Sequence, residues 1–193
     1  MGPIEFFCEK AMAWCERNGR VLEITGSEKD KDDVYLIRYY LIKSRWCNVF
    51  LHQFLRSDRD DLHDHPWDFV TYLVRGAYTE NKFNQKTGVA ERTRRTNCIY
   101  DDYMIKTRLR QNTLVFRRAT DQHQVVVDQD LKRADKDKAA LTLFISGPTK
   151  REWGFWRTYG GVYSGGEEVV APKRFWVPWR EYLGLAPDAP GRG

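Results

Sequence analysis

Long apolar runs are missing from this chain. No stretch approaches the roughly 20 residues that a helix needs to cross a bilayer, which excludes a helical integral membrane protein. The first residues, MGPIEFFCEK, lack the basic and apolar regions of a secretory leader, so a soluble, cytoplasmic protein is expected. Cysteine is sparse and unpatterned. Cys8, Cys15, Cys47 and Cys98 form no CxxC and no zinc-finger spacing, which argues against a disulfide framework and reads as reduced thiols. A glycine-rich nucleotide loop, a heptad run and a helix-turn-helix are absent too. Histidine is rare, with four in 193 residues, so any histidine metal site must draw on His52, His63, His65 and His123.

The chain is rich in aromatics, at 14% with seven tryptophans, and a domain of this length can bury a sizeable core. The net charge of +5 is small against 31% charged residues and points only weakly to anionic partners. Ile4, Phe7, Cys8, Met12 and Cys15 recur at spacings of three and four, which predicts an amphipathic helix over 3–18, stopped by Asn18-Gly19. Strand patterns follow at 20–26, 34–43 and 46–56, with Ser44-Arg45 as a hairpin turn between the last two. Further strands are read at 78–83, 89–96, 103–108, 113–117, 124–128 and 140–146. Between Lys86 and Arg118 basic residues outnumber acidic ones nine to three. Arg92, Arg94 and Arg95 in that stretch are read as a solvated edge ahead of a nucleotide or nucleic-acid patch.

The stretch DLHDHPWDFVTYLVRG, Asp61 to Gly76, organises the rest. Side chains of an extended chain alternate with period 2, so His63 and His65 point to one side and can share an ion. A metal site that does chemistry needs a third protein ligand and an open position. His123, in TDQHQVVV, is the better candidate for that third ligand.

An HxH pair, ten residues to Gly76 and a distant histidine opening a second β run are similar to the two-part signature of the cupin superfamily, over roughly 49–156. The strings HDHPWDF and REWGF also resemble a cupin-like family of bacteria and their phages. The resemblance implies a mainly β fold, the double-stranded β-helix or jelly-roll barrel, here with the N-terminal helix packed on it. It places that helix at 1–19, the barrel at 20–157, and a C-terminal hairpin and tail at 158–193 that could serve as a homodimer contact. His63 and His65 match the first ligand pair, Gly76 the closing glycine, and His123 the last ligand. The glutamate of the first motif falls on Phe69, so the resemblance implies a three-histidine site like that of thiol dioxygenases. Asp68 lies one residue out of register and faces away in a regular strand, although Pro66 admits irregularity.

One divalent ion is therefore expected, Fe(II) first, with Zn, Ni or Mn as alternatives, because an all-nitrogen facial set leaves positions open for substrate and oxygen. The leading reading is a non-haem Fe(II) oxygenase, dioxygenase-like, acting on a small polar or anionic substrate. A non-redox metal-dependent isomerase or hydrolase and a non-enzymatic small-molecule or nucleotide-binding cupin are the other readings. Substrate contacts are sought at His52, Arg56, Tyr72, Arg118 and Arg151, and Thr142 or Phe144 is expected to look into the cavity.

Overall fold

Strand-forming alternation governs the chain after its first helix. The computed structural model describes residues 2–25, 33–58, 61–83, 104–159 and 173–182. Helix α1 (Pro3–Arg17) precedes β1 (Val21–Thr25), β2 (Val34–Lys43), β3 (Asn48–Phe54), β4 (Leu62–His63), β5 (Phe69–Arg75) and β6 (Ala77–Phe83). After the undescribed 84–103 come β7 (Met104–Arg110), β8 (Leu114–Arg117), β9 (Gln124–Val126), a 3-10 turn (Arg133–Lys138), β10 (Ala140–Ser146), β11 (Gly154–Tyr159), β12 (Lys173–Pro178) and α2 (Trp179–Tyr182). The strand expected at 89–96 and the basic triplet Arg92, Arg94 and Arg95 lie outside the described residues.

Among the described residues every strand pair is antiparallel. One sheet runs β1-β2-β3-β10-β5-β8, and two three-stranded pieces run β12-β11-β4 and β7-β6-β9. An isolated backbone bridge between His63 and His123 joins the two pieces edge to edge. The four-stranded cores are thus β3-β10-β5-β8 and β4-β9-β6-β7, and the chain crosses between them at each step from β3 to β6 and from β8 to β11. That is the jelly-roll, or double-stranded β-helix, order.

Period-2 alternation then divides the residues of the larger sheet. Ile37, Tyr39, Leu51 and Leu141 face outward into a cluster with Cys8, Met12 and Cys15 of α1. Arg38, His52, Thr142 and Phe144 face the barrel interior. Both faces of β3 are apolar because the strand lies between the helix and the barrel lumen. The helix stripe is narrower than its spacing suggests: Ile4 and Phe7 are 50% and 70% exposed, since the apolar contact with the sheet runs along Cys8, Ala11, Met12 and Cys15. Burial raises the pKa of the Cys8 and Cys15 thiols, as fits packed apolar side chains.

Two glycines are required by position. Gly76, at φ +81°, turns β5 into β6, and a Cβ there would sit 3.1 Å from Ala140 Cα. At Gly154 a Cβ would sit 2.2 Å from the carbonyl oxygen of Val177 and press on the Trp176 indole. Gly154→Ala is therefore expected to part β11 from β12 and lower stability by about 2–4 kcal/mol, a range typical of overpacking with backbone shift. Urea denaturation checks this, and an unchanged midpoint would contradict the packing. Beyond β12 the tail docks on its own barrel: Trp179 stacks on Trp153, Tyr182 stacks on Phe155 with centroids 4.0 Å apart, and Tyr182 Oη donates to Asp61 Oδ2 at 3.2 Å.

Candidate metal centre

The alternation of Leu62, His63, Asp64 and His65 places their side chains. His63 and His65 turn into the lumen, and Asp64 between them turns outward. His123 arrives from the other half of the chain because its backbone exchanges both hydrogen bonds with His63, each at 3.0 Å. His65 N–H donates to the Ala119 carbonyl at 3.2 Å, which continues the same registration. The three imidazoles form a near-equilateral triangle, with ring centroids 5.1, 5.0 and 4.9 Å apart. One nitrogen from each lies within 4.8 Å of the other two. His65 Nε2 and His123 Nε2 are 2.7 Å apart.

Protonation suits these rings to a metal. Burial, aided by the neighbouring His123, pushes the His63 pKa down to about 3. Burial, together with the cluster and Arg38, holds His65 well below the usual histidine range. Glu80 on β6 is buried, which alone would raise its pKa, but hydrogen bonds from His123 and Arg117 outweigh burial and keep it ionised. Its Oε1 lies 2.7 Å from His123 Nδ1. An ionised carboxylate can only accept, so Nδ1 carries the proton and Nε2 presents its lone pair to the cavity. Two imidazoles kept neutral by burial, beside a third whose Nδ1–H is fixed by a carboxylate, fit a divalent transition metal.

The jelly-roll order with three inward histidines at its two motif positions decides the fold type. The chain is a cupin-fold barrel. No protein-family model and no functionally described protein matches the sequence. Similar solved structures include the cupin-2 domain Rru_A2000 from Rhodospirillum rubrum, at 10% identity over 70% of this chain and 73% of that one, with a TM-score of 0.45. A protein with a double-stranded β-helix domain from Klebsiella pneumoniae is 12% identical over 70% and 90%, with a TM-score of 0.41. The Fe(II) form of HppE is 11% identical over 65% and 55%, with a TM-score of 0.42.

The cupin barrel holds a chamber of about 90 Å³ at the histidines, opening into a mouth of about 210 Å³. Phe69 occupies the place where the first motif would carry glutamate and packs on His65, with centroids 4.7 Å apart. Asp68 faces away, accepting from Ala119 N–H and Lys150 Nζ. Thr142 and Phe144 line the chamber as the alternation predicts.

Of the five substrate-contact candidates, His52 lines the chamber and the other four do not. Arg56 lies past the end of β3, where strand parity no longer applies, and pairs with Asp33. Tyr72 falls on the outward parity of β5 and donates to Asn112 Oδ1 at 2.7 Å. Arg118 is exposed in the turn after β8. Arg151 is held by Asp64, whose Oδ2 lies 2.7 Å from Arg151 Nη1. The fully buried Asp64 also accepts from Gly154 N–H at 2.9 Å and Trp156 Nε1 at 3.2 Å. REWGFW is thus the receptor for the aspartate between the two histidines.

Sequence reasoning missed Glu80, Arg38 and Asp64. Arg38 is a lone charge inside the apolar run VYLIRYYLI, and Glu80 shares the inward parity of Tyr78. Those two signals were available; the partners of each residue were not.

The depressed pKa values carry a pH prediction. His52, His63 and His65 take protons in the unfolded chain near pH 6.5 but resist them when folded. As pH falls, the unfolded state binds protons first, so stability is full above about 6.5 and declines below it, for His63 until about 3. The metal-free protein is expected to lose up to about 1.4 kcal/mol per pH unit for each such histidine. Urea midpoints with chelator present check this, and a level midpoint from about pH 7 to about pH 5 would contradict it.

Proposed function

We propose that this cupin is a mononuclear metal-dependent oxidoreductase, acting on a small polar or anionic substrate in the chamber beside His63, His65 and His123. The observation that carries the reading is the triangle of three imidazoles facing the barrel lumen. Those three residues would hold a divalent ion, Fe(II) in the leading reading. The ion would supply a Lewis-acid and redox centre with positions left open by a three-nitrogen set. The chain's own residues do the rest. Glu80 keeps the proton on His123 Nδ1, Phe69 and Phe144 limit access of water, and the small volume restricts the substrate to a few heavy atoms. The reading carries with it a reduced, cytoplasmic setting.

The test is elemental analysis of untagged protein, followed by oxygen-consumption assays on small thiols and carboxylic acids after reloading with iron. Near-stoichiometric iron with substrate-dependent oxygen uptake supports the proposal. Zinc or nickel content without oxygen uptake would transfer it to isomerase or hydrolase chemistry. A protein that binds no added metal would leave a binding module.

A further inference from the structure

The inner face of the larger sheet carries one polar row among aromatics. Register sets Arg38 opposite His52 and His52 opposite Thr142 on three neighbouring strands, and all three line the chamber. Arg38 Nε–H donates to His52 Nε2 at 2.9 Å, and its guanidinium lies over the Phe50 ring, 5.1 Å from the centroid. Those contacts orient the guanidinium while engaging one of its five N–H donors. Among the described residues no carboxylate pairs with Arg38. It also borders the mouth beside His63 and His65.

Two more donors point to a ligand in the same place. The Thr142 side chain is 0% exposed, yet its hydroxyl has no hydrogen-bond partner. The indole Nε1 of Trp67, a residue that lines both chamber and mouth, is buried and likewise without a partner. Leaving such groups unsatisfied is costly, and an oxygen acceptor relieves both. A guanidinium fork matches the two oxygens of a carboxylate. Among the described lining residues Arg38 is the one permanent cation and Asp58, which accepts from Val125 N–H at 2.7 Å, the one carboxylate, so the lining suits at most a monoanion and falls short of phosphate. Phe54 and Phe144 supply an apolar wall for an organic body.

We propose that the chamber recognises a small organic monocarboxylate through Arg38, Thr142 and Trp67, with His52 as the positioning residue for Arg38. This rests on the chamber being the substrate site of the metal enzyme read above, and it names the substrate class.

Ligand-observed NMR on the full chain, as purified and after chelation, tests it with propionate as probe, propionamide as its uncharged counterpart and inorganic phosphate as competitor. Propionate is expected to bind at least about tenfold tighter than propionamide, since a hydrogen bond to a charged group is worth that much, and phosphate is not expected to displace it. Arg38→Gln is expected to weaken propionate at least about tenfold, and Thr142→Val, nearly isosteric and so safe for folding, by several-fold. Equal binding of propionate and propionamide, preferential displacement by phosphate, or unchanged propionate affinity in both variants would overturn the proposal. The His123→Ala variant separates this from the metal reading. Propionate binding that survives there, beside wild type that holds no metal, sinks the metal reading alone. Metal retained by wild type without propionate binding sinks the carboxylate proposal alone.

Discussion

His123→Ala is expected to reduce bound metal from near-stoichiometric to trace after dialysis, with affinity lowered by more than about a hundredfold. Structural four-ligand zinc sites bind with about 10–16 kcal/mol, so one ligand carries on the order of 3 kcal/mol. The loss should not come from unfolding. The bridge that places His123 against His63 is made by backbone N–H and carbonyl groups, which alanine keeps. Glu80, freed of the imidazole, still pairs with Arg117 and with Lys82, the latter at 3.3 Å. Glu80→Gln gives the graded companion. Its amide oxygen can still accept from His123 Nδ1, but the ionic pairing with Arg117 is lost, and a decrease of about 10- to 100-fold in metal affinity is expected. Competition with a fluorescent chelator measures both. Wild-type affinity in His123→Ala would show that the triangle is not the metal site.

Arg151→Ala is expected to lower the thermal midpoint by about 5–10 °C while leaving affinity for small ligands unchanged. The variant removes the charged partner of an aspartate that is 0% exposed and leaves it two neutral donors, Gly154 N–H and Trp156 Nε1. Breaking a fully buried pair costs about 3–5 kcal/mol. Arg151 is itself 30% exposed and two donors remain, so about 2–3 kcal/mol is the better expectation. Arg151→Lys keeps a charge within reach of Asp64 and should recover part of the loss. A variant that melts like wild type but binds propionate more weakly would instead place Arg151 in substrate recognition. The comparison matters because an arginine beside a metal motif invites a functional reading, whereas the geometry assigns this one to holding the loop that carries the histidines.

Much of the barrel was legible because strand alternation is local. Residues 34–43 and 140–146 form the strands that their alternation predicts, and His63 and His65 share a side for the same reason. The helix was legible in extent but less so in its buried face, because Ile4 and Phe7 could be judged apolar without knowing how much sheet lay beneath them. Arg56 shows where parity fails: its strand ends at Phe54, and beyond that point the backbone turns away with Leu55 and Arg56 both donating to the Tyr35 carbonyl. Tyr72 and Arg118 were chosen for proximity in sequence to the motif, and proximity does not fix the side of a sheet.

By itself the sequence determined the β period, the paired histidines and the absence of a fourth ligand at Phe69. Those are properties of single residues or of neighbours along one strand. Tertiary structure decided which charges meet. Glu80 reaches His123 across 43 residues, and Arg151 reaches Asp64 across 87. Arg38 enters the chamber because the pairing of β2 with β3 sets it opposite His52. An ionisable side chain takes its role from the desolvation and the partners around it, and in an antiparallel barrel both come from strands distant in the chain.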